Sequence, residues 1–536
     1  MYVNIVDSFL INYNVSTLNT KMNRKLLVSI FIVSFLLCGC FKNASSSSGS
    51  NTSTTSKEDS SIKTIEIYAT NDIHGVVEED YNYIGVPKLM TYLNEKGEQD
   101  NTLLLDQGDT WQGSIYSNYN HGEMITDIMN YIHYDARTIG NHDFDWGVQY
   151  VKSNAQREYN GYRTSVLAGN VYDYNFSTKQ VGSVQQSELG GTSVTYTLEN
   201  GLKVGILGCI GYSQITSITS LYTKDIAFTD HIRFIKSEAT HLKNDEHCDV
   251  IIASVHTGQE DAMNNGLKDY VDLVLCGHSH QQESANEGNL YFVQGRANTQ
   301  SLSHVTLTYD VSKKDVIETE IDWVTASRVK NEASVVDATI QNIVDQYSSE
   351  CQAAAEEVIA TNVSGSFSSS NQYPNLMCKA IYDECIAEGY DDVLLTYVNK
   401  ARSSNYASTW KYADLYEAFP FDNNVYIAEI TGREFMYEIA NYNYIYRSPS
   451  FTNNTINPDA TYKIATIDHL YFHTNENRDY NYFYQTGGTS NISLTKNYRE
   501  ILRDWLKANA LNSSQPLNAN NFTSSLWAHD RTLFSY

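Results

Sequence analysis

The sequence predicts an α/β protein of layered architecture, followed by a connector helix and a second mixed α/β unit. Three observations carry that reading. From residue 62 to about 326, apolar runs of strand length alternate with helical periodicity, the pattern of sheets covered by helices. The runs at 65–70, 103–105, 138–139, 250–255 and 271–275 are rich in β-branched residues and read as buried strands. Each run leads into a short polar motif: Asn71-Asp72-Ile73-His74, Gly108-Asp109, Gly140-Asn141-His142-Asp143, His256, and Gly277-His278-Ser279-His280. In an open α/β sheet the carboxyl edge of the strands forms the ligand crevice, so residues spread over about two hundred positions can meet there.

The elements follow in order. A chain of 536 residues exceeds one core, and domains of roughly 100–200 residues predict two or three units. Arg24 and Lys25 precede an apolar stretch at 26–37 that ends in Leu37-Cys38-Gly39-Cys40. A charged start, an apolar middle and a small residue before cysteine resemble a bacterial lipoprotein signal over 1–40, with Cys40 taking the lipid and Met22 as an alternative start. The stretch is shorter than the about 20 residues a membrane span needs. Residues 41–61 are dominated by Ser and Thr and predict a flexible tether, which puts the protein outside the cytoplasm on a membrane anchor. The first folded unit spans 62–326, with helices at 86–96 and 123–132. Val335, Val336, Ile340, Ile343 and Val344 recur at helical spacing within a connector at 327–360. The second unit, 361–536, predicts helices at 376–388 and 432–441 and strands at 393–398, 426–430 and 462–468.

Charge narrows the partners. Lys and Arg total 37 against 63 Asp and Glu, and a net charge of -26 repels a nucleic-acid backbone, which excludes polymeric nucleic acid as the expected partner. Beyond the signal lie Cys209, Cys248, Cys276, Cys351, Cys378 and Cys385, with no CxxC spacing, so a structural zinc site is not expected. Cys209 and Cys276 fall within apolar strands and read as small buried hydrophobes, and Cys378 and Cys385 as one packed helix face.

The polar motifs supply enough carboxylate, imidazole and amide donors for two adjacent divalent cations. Such a donor set suits Mn, Zn, Fe, Co or Mg rather than copper. Two cations ~3.5–4 Å apart can hold a phosphoryl oxygen and activate a water, and such a pair needs a shared carboxylate, for which Asp109 is the natural choice. Singly, each motif is a turn or a structural histidine; together they have a different meaning. The remaining nine histidines, His469 among them, fit no such context and read as structural or solvent-facing.

In order and spacing these motifs resemble the calcineurin-like metallophosphoesterases, specifically the bacterial 5'-nucleotidase and 2',3'-cyclic phosphodiesterase branch. Trp111-Gln112-Gly113-Ser114, Ala168-Gly169-Asn170-Val171 and Val293-Gln294-Gly295 extend the likeness over most of 64–310. The resemblance implies a four-layer β-sandwich flanked by helices. It implies two divalent metal ions, one held by Asp72, His74, Asp109 and His280, the other by Asp109, Asn141, His256 and His278. It gives His142 to the transition state or leaving group, oriented by Asp145.

Behind the connector the likeness is looser. Phe419-Pro420-Phe421-Asp422-Asn423 looks like the family's base-stacking segment, and Tyr482-Phe483-Tyr484-Gln485-Thr486-Gly487-Gly488 like the one facing it, so Phe421 and Phe483 would sandwich a planar group; the plain alternative is two core aromatics. Thr489 stands where the family has an Asp for the ribose. The Asn-Gly-Gly-Gly-Ile-Arg motif is reduced to Val398-Asn399-Lys400-Ala401-Arg402, leaving Arg402 and Asn399 as substrate contacts, and Ser368-Ser369-Ser370 replaces a second arginine. The implied activity is metal-dependent hydrolysis of small phosphate monoesters, nucleoside 5'-monophosphates first, outside the cell for salvage. The alternatives are the same site acting on 2',3'-cyclic nucleotides, nucleotide sugars or sulfur esters, and a surface lipoprotein that binds without turnover.

Overall fold

The computed structural model describes residues 61–433, 435–436, 445–449, 456–472 and 492–523. The expected signal, all of the tether but Ser61, Phe483, and much of the expected helix at 432–441 lie outside the described residues.

Two six-stranded sheets lie face to face. Their elements in chain order are β1 (Ile62–Thr70), α1 (Val86–Gly97), β2 (Thr102–Asp106), α2 (Glu123–Tyr131), β3 (Ala136–Thr138), β4 (Ser165–Leu167), β5 (Ser193–Thr197), β6 (Lys203–Ile210), α3 (His231–Asn244), β7 (Val250–His256), β8 (Leu273–Leu275), β9 (Glu283–Glu287), β10 (Leu290–Gln294), β11 (Ser301–Asp310) and β12 (Asp315–Thr325). The first sheet runs β12-β11-β1-β2-β3-β4, with β1 to β4 parallel; the second runs β9-β10-β8-β7-β6-β5, with β6, β7, β8 and β10 parallel.

Side-chain alternation explains the continuous apolar runs. Ile65, Ile67, Ala69, Leu103 and Leu105 fill the space between the sheets, opposite Val204, Ile206, Val250 and Ile252. Their neighbours point the other way: Tyr68 and Leu104 pack under the helices of the first sheet, and Leu207, Cys209, Ile251 and Ala253 under α3. Both faces of each sheet are covered, so a parallel strand here must be apolar throughout. The result is four layers, helix, sheet, sheet, helix. The strand expected at 271–275 is shorter than its apolar run. Asp272 is spent at its entrance, accepting from Ile251 N at 2.7 Å through its carboxylate and donating its own N–H to Ile251 O at 2.9 Å.

The connector is α4 (Ala338–Ala355), which starts later than the helical spacing that opens at Val335 because Asp337 caps it, accepting from Thr339 N at 2.7 Å and Ile340 N at 3.1 Å. Ile340, Ile343 and Val344 join the core under the helices of the first sheet, whereas Cys351 is buried and Ala355 packs into the core beyond. Tyr347 donates to Asp127 on α2 at 2.7 Å, where Arg157 also binds, so the first two-thirds of α4 is fastened to the sandwich.

The carboxyl-terminal core is built on a mixed five-stranded sheet. Its elements are α5 (Gln372–Ala387), β13 (Leu395–Tyr397), β14 (Asn424–Thr431), β15 (Ile445–Arg447), β16 (Thr461–Ile467), β17 (Ile492–Asn497) and α6 (Tyr498–Asn509), with the strands in the order β15-β13-β16-β14-β17. α5 begins earlier than expected because Pro374 sits in its first turn, where no N–H partner is required. Cys378 and Cys385 are both buried on it, and all six cysteines of the described residues are free thiols. No described helix is long and apolar enough to cross a membrane. Asp337→Ala should lower stability by about 1 kcal/mol, the usual cost of a lost N-cap, read as a shifted denaturant midpoint.

Candidate functional site

The carboxyl ends of β1, β2, β3, β7 and β8 lie side by side, and each delivers its polar motif to one cleft. The chain turns sharply there. Asp72, His74, Asp109, His278 and His280 all have left-handed backbone, with φ between 49° and 75°. For residues other than glycine each such conformation costs on the order of 1–3 kcal/mol and persists only where the surroundings enforce it. Glycine is required beside them: Gly108 has φ 88°, and a Cβ on Gly140 would lie 2.2 Å from Asp109 Oδ1.

Two clusters result. The possible ligand atoms of Asp72, His74 and His280 lie within 4.8 Å of one another, as do those of Asp109, His256 and His278. In the first, His74 Nε2 is 3.2 Å from His280 Nε2, which is 3.5 Å from Asp72 Oδ1. In the second, Asn141 Oδ1 lies 3.1 Å from His256 Nε2 and 2.9 Å from His278 Nδ1. Asp109 Oδ1 accepts from the His142 backbone N–H at 2.7 Å, but Oδ2 accepts no hydrogen bond although His256 Nε2 is 3.2 Å away. Two imidazoles are held from behind: His74 Nδ1 on Gln112 O at 2.8 Å and His256 Nδ1 on Gln107 O at 2.7 Å, which aims each Nε2 into the cleft.

This donor set fits a pair of divalent ions. Paired imidazole nitrogens, two buried carboxylates and an orphaned carboxylate oxygen form a pocket of converging lone pairs, which only positive charge can satisfy. Electrostatics agree. Burial, reinforced by His280, holds His74 well below the usual histidine range, and burial with His256 pushes His278 down to about 3, so both rings are neutral, as a ligand must be. Burial would also lower His256, but Asp109 outweighs it and pushes that ring up to about 10. The His256–Asp109 contact is where this cluster most demands a cation.

His142 stands at the cleft wall, its Nδ1 2.8 Å from Asp145 Oδ2. Its Nε2 lies 3.1 Å from Arg402 Nη2. A guanidinium only donates, so Nε2 accepts and the proton sits on Nδ1 in this arrangement. The Phe421 ring is 5.2 Å from the His142 ring, and the Arg402 guanidinium lies 5.1 Å from the Phe421 centroid. Asn399 lines the same cavity with a buried, unpartnered Oδ1. The fold thus brings together Asp72, His74, Asp109, Asn141, His142, Asp145, His256, His278, His280, Asn399, Arg402 and Phe421; Phe483 lies outside the described residues.

Several residues escaped the sequence reading. Arg137, fully buried, donates to Asp143 Oδ2 at 2.7 Å and Thr110 Oγ1 at 3.0 Å, and its guanidinium lies 3.9 Å from the Trp111 ring centroid. Asp143 in turn accepts from Thr110 N and Gly140 N, and Asp106 from Thr70, Thr110 and Gly108 N. This network locks the loop bearing Asp109 to the loop bearing Asn141. Asp143 stood inside a quoted motif, but Asp106 ends an apolar run and Arg137 sits in a strand with no signal but its charge. His469, read as structural, lines the cavity, as do Thr216, Ser217 and Tyr222.

Residues 65–282 match the family model of the calcineurin-like phosphoesterases. The chain carries a calcineurin-like phosphoesterase domain. Over 232 residues it is 31% identical to the 5'-nucleotidase of Homo sapiens, covering 40% of this chain and 38% of that one. Over 200 residues it is 28% identical to an apyrase of Tabanus yao, covering 37% and 33%. The chain therefore spans about a third of the length of the curated relatives it matches. The structure of a 5'-nucleotidase precursor from Thermus thermophilus superposes with a TM-score of 0.68 over 85% of this chain and 99% of that one, at 17% identity, a likeness of fold. That likeness extends past the phosphoesterase domain into the carboxyl-terminal sheet.

Arg137→Ala should destabilise the phosphoesterase domain by about 3 kcal/mol or more, because it strands Asp143 as an unpaired buried charge; denaturant unfolding checks this.

Proposed function

We propose that this protein is a dinuclear metallophosphoesterase that hydrolyses small phosphate monoesters, nucleoside 5'-monophosphates foremost, outside the cytoplasm for salvage, tethered through a lipid on Cys40. In this reading 62–326 is the catalytic unit, 327–360 the connector and 361–536 the substrate-binding unit. Asp72, His74, Asp109 and His280 would hold one ion and Asp109, Asn141, His256 and His278 the other.

One observation carries the reading: both clusters open on a cavity of about 610 Å³ whose walls come from both units, with His142 between them. A pair of bound divalent cations supplies charge to the phosphoryl oxygens and acidifies the attacking water. The chain's own residues do the rest. Once the phosphoryl group has drawn Arg402 off Nε2, His142 takes up a proton from solvent on that nitrogen and donates it to the departing alkoxide. Burial opposes a charge on His142, but Asp145 and Asp109 outweigh it and hold its pKa above the usual histidine value, and Arg402 is the group acting against them. Displacing Arg402 thus readies the proton donor. Among the described residues, Arg402 and Lys400 are the cations the second unit sets on the cavity, with Asn399 beside them. With no further arginine on this wall among the described residues, the same site would also serve cyclic nucleotides, nucleotide sugars or sulfur esters, and a panel of esters separates these.

Metal-loaded protein should release phosphate from nucleotides and lose that activity on chelation. His142→Ala should lower kcat by at least ~100-fold with metal content retained. Unchanged turnover in that variant would remove His142 from the mechanism, and no phosphate release from any ester would leave binding without turnover as the better account.

A further inference from the structure

The segment Phe419-Pro420-Phe421-Asp422 is held by its carbonyls, and its holders come from opposite sides of the cleft. Arg499, in the first turn of α6 with a side chain only 1% exposed, donates from Nη1 to Phe419 O at 2.9 Å and Phe421 O at 2.7 Å. Its Nη2 pairs with the Asp422 carboxylate, and its guanidinium lies 3.6 Å from the Tyr416 ring centroid. The carbonyl between, that of Pro420, accepts from Asn118 Nδ2 at 2.7 Å, across from the phosphoesterase domain. Asn118 is itself fixed, because its Oδ1 accepts from Gly113 N at 2.8 Å, next to the Gln112 carbonyl that orients His74.

Three successive carbonyls are therefore captured by two side chains, and the mechanism above uses neither. Their common effect falls on Phe421. A partly buried aromatic ring whose backbone is pinned on both sides can keep one face at a fixed distance from His142, whereas a free loop would not hold it there.

We propose that Asn118 and Arg499 are positioning residues that clamp 419–421 from both units and so fix the Phe421 ring as the platform for a planar part of the substrate. The phosphoesterase domain thereby takes part in selecting the group that carries the phosphate. The ester half of this inference rests on the function proposed above; the binding half does not.

The test uses the full chain carrying Asn118→Asp, which keeps the acceptor for Gly113 N and sets a carboxylate oxygen against the Pro420 carbonyl. Calorimetry with adenosine, which needs no turnover, should give a Kd raised about tenfold, the scale of one lost buried hydrogen bond. The ratio of kcat/KM for AMP to that for ribose 5-phosphate should fall about tenfold, through KM rather than kcat. Arg499→Lys, whose single nitrogen cannot take the places of both Nη1 on the carbonyls and Nη2 on Asp422, should shift both readouts in the same direction. Adenosine affinity and ester ratio within about twofold of wild type in a folded variant, equal losses on both esters, or no adenosine binding by the wild type would overturn the clamp. Weakened adenosine binding in a protein that hydrolyses neither ester would overturn the proposed function and leave the clamp standing.

Discussion

The burial of two carboxylates at neighbouring strand ends is the constraint from which the rest of the site follows. Asp72 and Asp109 are fully enclosed. Burial raises Asp72; it works against the charge on Asp109 as well, but His256 and His142 outweigh it there and hold that carboxyl well below the usual carboxylate value. Enclosed negative charge requires compensation close at hand. Here it arrives as backbone N–H groups, from His278 to Asp72 and from His142 to Asp109, and as four imidazoles facing inward. The left-handed backbone at five of these positions is a consequence, since only such turns aim consecutive strand ends into one small volume.

Holding that volume open falls to a layer of charge behind it. Asp106, Arg137 and Asp143 form a buried unit whose acids bind loop N–H groups while the arginine ties them together. Burial pushes Asp106 up to about 6 against the pull of Arg137, so this layer is itself near the limit of what the interior tolerates. The cleft is completed from the other unit by Arg402 and Phe421, which touch His142 directly, so the reacting wall belongs to both.

Much of this was legible in the sequence. The strands were, because a parallel strand covered on both faces must be apolar along its length, and the motifs were, because each sat where such a run stopped. Asp72, His74, Asp109, Asn141, His256, His278 and His280 could be gathered on that ground. Arg137 could not: an arginine between Ala136 and Thr138 looks like strand-edge polarity until the sheet closes over it. Asn118 and Arg499 were invisible for a related reason, since each acts on carbonyls brought near only by tertiary packing. Helix starts were misjudged at Asp337, where a side-chain cap overrode periodicity, and around Pro374, which the first turn accommodates.

The central claim is that these side chains enclose a pair of cations. Anomalous diffraction from crystals grown with manganese tests it most directly. The account requires two peaks ~3.5–4 Å apart, one among Asp72, His74 and His280, the other among Asn141, His256 and His278, with Asp109 between. A single peak, or two peaks with Asp109 bound to neither, would contradict it.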